Sequence, residues 1–222
     1  MDKKKELFET MPLNKAIIQL VIPNIVGSLV MILYNLADTY FVGLLNDPVQ
    51  TSAVTLISVL LLLFNAINNL FGVGTSSLMS RLLGAKREED AKNASATGFY
   101  LGVVSAIAFT VICFVFKTPI LHLLGADATT FDASYRYMFW AVNVGALPSI
   151  MNVVMGYMIK SEGDALRASI GTISGCILNI ILDPIFVLPQ FLRMGAEGAG
   201  LATFISNCFA FLYFIQLALI RQ

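Results

Sequence analysis

Charge is what this sequence has least of. Of 222 residues only 13% are Asp, Glu, Lys or Arg, against about 25% in soluble globular domains. Neither sign is in excess: 14 basic residues balance 14 acidic ones. That leaves no basic field to hold a nucleic acid backbone. Cysteine is scarce too. Cys113, Cys176 and Cys208 all lie in apolar stretches, and their odd number and wide spacing read as small buried hydrophobes rather than a disulfide framework or metal site. There is one histidine, His122, and one tryptophan, Trp140. His122 falls in a loop between spans and reads as an ordinary interfacial residue rather than a pH sensor.

What fills the chain instead is apolar side chain, 57% of the total, with a mean hydropathy of +0.79. Five windows carry no charge at all: Ala16–Ala37, Pro48–Ser80, Asn93–Phe116, Tyr137–Ile159 and Gly198–Ile220. A sixth, Ala168–Leu192, has a single one, Asp183. About 20 apolar residues in a helix cross a bilayer core of about 30 Å. The expected fold class is thus all-α: a polytopic membrane protein, a bundle of six transmembrane helices. The expected organisation is an N-terminal arm over 1–15 and a bundle over 16–222, with spans near 16–44, 51–82, 93–116, 134–160, 167–191 and 197–220. The opening MDKKKELFETMPLNKA resembles the charged start of a signal peptide. The apolar run behind it is too long, however, and lacks an A-x-A cleavage site, so it reads as a retained arm.

Basic residues sort unevenly between the two sides. Eleven of the 14 fall at the termini and in the 81–92 and 160–167 loops; Lys117, Arg136 and Arg193 fall on the other side. The positive-inside rule then puts both termini in the cytoplasm of a multi-pass protein of the cell membrane. The outer 117–135 stretch contains ILHLLG, which suits a short interfacial helix.

Small and polar residues recur within the spans, notably Asn65, Asn68 and Asn69, then GVGTSS from Gly72 and GAGLAT from Gly198. Their first reading is close helix packing and amide hydrogen bonds between helices. Two carboxylates are harder to dismiss. Asp38 and Asp183 lie inside apolar spans, where a charge costs about 2.5–3.5 kcal/mol on insertion scales and marks a functional position by default. Tyr34 and Asn35 stand one helical turn before Asp38, and Asn179 one turn before Asp183. Pro184 removes the amide that would bond the carbonyl of Ile180. Carboxylate, amide and carbonyl oxygens suit a hard cation such as Na⁺, and a carboxyl group at such a place can equally take up a proton. Pro23 and Pro148 interrupt two further spans.

These residues also carry a family pattern. Pro23 and Gly27 lead into YNLADTYFVG (Tyr34–Gly43). Then come GVGTSSLMSRLLGAK (Gly72–Lys86), EGDALR (Glu162–Arg167), LNIILDPIF (Leu178–Phe186) and GAEGAGLAT (Gly195–Thr203). The whole chain resembles the N-terminal half of multidrug and toxic compound extrusion (MATE) transporters. The resemblance implies a secondary antiporter that expels cationic or amphipathic small molecules in exchange for Na⁺ or H⁺, with no cofactor and no enzymatic activity. It implies two six-helix bundles facing each other across a cleft in the lipid bilayer. In prokaryotic members the coupling-ion site of the N-terminal bundle falls on the positions of Asp38, Asn179 and Asp183, with Tyr34 and Thr203 beside them.

Family members have twelve spans and this chain has six. A second lobe is therefore expected, from the same gene product or from a homodimer partner. The alternatives are a half-size membrane fragment that does not transport by itself and a lipid-linked oligosaccharide flippase of the same superfamily. The flippase would want basic residues in its cavity, and none lies within the five uncharged windows or in Ala168–Leu192. An intramembrane aspartyl protease would want Tyr-Asp and Gly-x-Gly-Asp, where this chain has Ala37 before Asp38 and Leu182 before Asp183.

Overall fold

The computed structural model describes residues 11–220; the first ten residues of the expected N-terminal arm lie outside the described residues. Every regular element in it is helical. The first span is α1, Leu13–Gly43, a continuous helix that runs through Pro23. Asp47 then opens α2, Pro48–Gly84, by accepting the Val49 N–H at 2.9 Å, with Pro48 in the first helical position. Both residues supply what a helix start lacks. At 37 residues, α2 is about 55 Å long and must project beyond the hydrocarbon core. Glu88, Glu89 and Asp90 occupy the first turn of α3, Glu88–Val115, where negative charge meets the positive end of the helix dipole.

The 117–135 stretch begins with a short helix, α4, Lys117–Leu124, which stops at Gly125 with φ 101°. In the following loop Asp127 accepts from the amides and hydroxyls of both Thr129 and Thr130. These bonds, led by that from the Thr129 hydroxyl, hold its carboxyl down at about 2.

The fourth span is composite. It runs as α5, Phe131–Met138, a π-helical segment, Phe139–Val144, and α6, Ala146–Ser161, with a bend of 46°. Pro148 offers no N–H to the carbonyl of Val144, and its ring crowds that carbonyl. The turns before it widen into the π form, a common cause of sharp bends. A side chain at Gly145 would press on the carbonyl oxygens of Ala141 and Trp140 at 2.6 and 2.7 Å. Sequence pattern marked the proline but not the π segment.

Asp164 caps α7, Ala165–Val187, through the Arg167 N–H. This helix ends four residues short of the expected 191, because Leu188 is extended ahead of Pro189 (φ −76°, ψ 146°). The last helix, α8, is Ala196–Ile220. Its first amide donates to Oε1 of Gln50, a side chain of α2. Nearby, Arg136 bridges Asp132 and Glu197, and Trp140 donates its indole N–H to Glu197 at 3.2 Å. Trp140 thus has a polar partner that ties the fourth span to the sixth.

Five helices are long and apolar enough to cross a membrane, and the bent α5–α6 pair makes six. The main core lies between α2, α3 and α6. Phe64 stacks on Phe109 with centroids 5.0 Å apart, and Ile57, Ile150, Met151 and Val154 are sealed from the surface. Helix α1 is set apart from this core. It lies along α7 and touches α2 and α8 only at a few points, and Ile18, Ile22, Leu29, Ile32, Leu33 and Leu36 are all more than half exposed.

Candidate functional site

The two intramembrane carboxylates come from neighbouring helices. Asp38 lies five residues before the end of α1, and Asp183 sits on α7, one turn after Asn179. The burial is strong: Asp183 is 0% and Asn179 2% exposed. The amide of Asn179 satisfies both its ends when its nitrogen donates to Asp183 Oδ2 (2.9 Å) and its oxygen accepts from the Thr203 N–H (3.1 Å). Asn179 therefore links the carboxylate on α7 to the backbone of α8. Asp183 Oδ1 and Asp38 Oδ1 are buried with no hydrogen-bond partner in the protein. Such oxygens are costly unless something binds them.

Close helix approach makes this arrangement. A side chain at Gly198 would meet the carbonyl group of Phe186 on α7 at 2.7 Å, and one at Gly200 would meet the carbonyl oxygen of Tyr137 on α5 at 2.9 Å. Having neither side chain, the start of α8 presses against both helices, and Thr203, one turn on, is brought to Asn179. The small-residue run at 198–203 therefore packs helices, as its composition suggested. Packing is how it serves the site.

Of the five expected site residues, Asn179, Asp183 and Thr203 are joined through the Asn179 amide. Tyr34 and Asp38 face them from α1, with the Tyr34 phenol beside Thr203 and within electrostatic range of both carboxylates. Asn35 does not join them. Its side chain is exposed and donates to the Met31 carbonyl of its own helix at 3.0 Å. Tyr137 does join them, although sequence reasoning passed it over. It is 3% exposed, and its phenol is within electrostatic range of Asp38, Tyr34 and Asp183. The one available signal was its place at the first residue of the fourth uncharged window.

Polar contacts continue along α8. Asn207 donates to the Thr203 carbonyl at 3.0 Å and accepts from Asn152 of α6 at 3.0 Å. The expected amide bonds in α2 are only partly formed: Asn69 accepts from the Tyr157 hydroxyl at 3.3 Å, whereas both polar atoms of Asn68 are buried without a protein partner.

A bundle of apolar helices enclosing two facing carboxylates defines a polytopic helical membrane protein with an acidic interior seam. The chain belongs to the MatE family, whose sequence profile matches residues 23–185, and members of that family are transporters, not enzymes. It is 31% identical over 214 residues to the multidrug export protein MepA of Staphylococcus aureus strain MRSA252, an alignment covering 96% of this chain and 47% of that protein. It is similar in structure to a MOP superfamily transporter from Pyrococcus furiosus (TM-score 0.90, 30% identity, 100% of this chain and 48% of that one). A MATE structure in the straight conformation superposes with a TM-score of 0.91, at 30% identity and the same coverage. The chain spans about half the length of the curated relatives it matches.

Proposed function

We propose that this chain is the N-terminal lobe of a cation-coupled multidrug exporter and carries the coupling-ion site. The observation that carries the reading is the pair of buried, partnerless carboxylate oxygens, Asp38 Oδ1 and Asp183 Oδ1, on two helices that touch at the seam. Either a proton or Na⁺ satisfies such oxygens. For Na⁺ the ligands are the two carboxylates, with the Tyr34 and Thr203 hydroxyls in support; oxygen donors of this kind suit a hard cation. Loading neutralises charge at the seam and lets α1 close on α7; unloading restores repulsion between the carboxylates and favours separation. An ion drives such a change only by binding one arrangement better than the other.

Relatives twice as long support the need for a second six-span lobe, with cationic or amphipathic molecules carried in the cleft between the lobes. The MepA name supports multidrug export as the activity. The 11-to-3 division of basic residues supports cytoplasmic termini in a cell membrane. The test is ethidium efflux driven by a Na⁺ or proton gradient, in proteoliposomes holding this lobe paired with a second. Asp183→Asn and Asp38→Asn are each expected to abolish it; undiminished export by either would remove that residue from the site. The chain reconstituted alone separates a homodimer, which exports, from a lobe that needs a different partner, which folds but stays silent.

A further inference from the structure

A groove of about 470 Å³ runs between α2 and α3, on helices that carry neither of the seam's carboxylates. Its walls are Leu70, Gly74 and Leu78 on one helix and Ala94, Gly98 and Leu101 on the other. Its shape follows from two glycines used differently. Gly98 lies directly under the Thr75 side chain, so the helices meet at the floor. Gly74 has open space where a side chain would be, and the groove takes that space. The Thr97 hydroxyl on the wall is already donated to the Asn93 carbonyl. Leu70, Leu78 and Leu101 remain about half exposed or more, so the groove opens on the surface of this lobe.

One end is basic. The two helices are joined by the tight turn at Ala85–Arg87, and Arg81 lies one turn beyond Leu78 on the same side of α2. Its guanidinium folds back toward the apolar part of the helix, onto Ser77. Arg87 and Lys92 are paired with Asp90 and Glu89, whereas Arg81 and Lys86 have no carboxylate partner among the described residues. Lys86 also sits at φ 59°, a conformation that glycine takes more readily, yet the position carries an ammonium group.

We propose that this groove binds one acyl chain of an anionic glycerophospholipid whose phosphate rests on Arg81 and Lys86. Leu70 to Leu78 spans about 12 Å along α2, which suits most of one chain in a leaflet whose apolar half-thickness is about 15 Å. The apolar walls take the chain, and the two unpaired cations at one end select a headgroup of opposite charge. The site does not depend on what the protein transports.

Native mass spectrometry of the purified full chain, offered equal amounts of phosphatidylglycerol and phosphatidylcholine, tests it. Retained phosphatidylglycerol is expected to exceed phosphatidylcholine by roughly thirtyfold, from two basic residues near the membrane surface. Gly74→Leu fills the groove and is expected to abolish retention of both lipids. The double variant Arg81→Gln/Lys86→Gln leaves the walls intact and should bring phosphatidylglycerol down to the phosphatidylcholine level; being exposed changes, these also serve if the groove variant fails to fold. Equal retention of the two lipids by the unaltered chain, or undiminished phosphatidylglycerol on the double variant, overturns the proposal. So does cross-linking of Thr97→Cys between two copies, which would make the groove a protein interface.

Discussion

The seam between α1, α7 and α8 and the core between α2, α3 and α6 lie in the same bundle and are built on opposite terms. The core is close-packed carbon, with the Phe64–Phe109 stack surrounded by aliphatic side chains that no solvent reaches. The seam holds two carboxylates, each with a buried oxygen left unbonded, and α1 contributes to it while exposing most of its large side chains elsewhere. In a bilayer the hydrophobic effect does not press one helix against another; packing and polar contacts decide. Helices α2, α3 and α6 are therefore joined tightly, whereas α1 is held chiefly along α7 and across a polar contact whose strength depends on what occupies it. On the proposed reading, α1 is the helix that shifts when the charge at the seam changes, and the core is the frame against which it shifts.

The largest expected effect exchanges the two regions' roles. Phe109→Ala opens a cavity beside Phe64 and should cost about 3 kcal/mol of stability, read as a fall in the unfolding midpoint, while the folded fraction keeps its ion dependence. Asp183→Asn should do the reverse. It removes a buried, half-satisfied charge, so stability holds or rises while coupled export is lost. If both variants shifted stability and coupling together, the division between frame and seam would fail.

A smaller effect sharpens the boundary between the regions. Gly198→Val drives a side chain into the backbone of Phe186 and should cost about 2–3 kcal/mol through overpacking, moving Thr203 away from Asn179. Weakened ion binding is expected even where folding is rescued at low temperature. Gly74→Ala, placed in open space, should change neither, and a stability loss there equal to that of Gly198→Val would count against the close-approach account.

The smallest effect lies outside both. With its carboxyl held at about 2, below the usual value near 4, Asp127 stabilises its loop above pH 4. That contribution fades as pH falls through 2, where the carboxylate becomes protonated. Asp127→Asn should weaken hydrogen-exchange protection of the Thr129 and Thr130 amides at neutral pH without touching ion dependence; unchanged protection would mean the loop is held by other contacts.

Much of this architecture was legible in the chain. Uncharged windows located the spans, since a bilayer core accepts little else, and the two charges inside them located the seam. Helices α2 and α7 begin at Pro48 and Ala165, ahead of the expected 51 and 167, because Asp47 and Asp164 cap them, which the uncharged windows did not mark. The bend of the fourth span was half legible: Pro148 shows a missing donor, but whether a helix answers with a kink, a break or a π segment depends on neighbours that only the fold supplies.

Within the seam, the sequence by itself determined which residue types stand at membrane depth and, through the motifs, which family they belong to. Tertiary structure alone decided which of them meet. Adjacent helical residues point about 100° apart, so Tyr34 turns into the seam while Asn35, its neighbour, bonds its own backbone. Tyr137 arrives from a helix a hundred residues away because Gly200 lets α8 press against it. The direction of the Asn179 amide depends on finding Asp183 on one side and the Thr203 backbone on the other. Hydropathy is a property of each residue, but a binding site is made by the rotation and approach of whole helices, and those follow from packing.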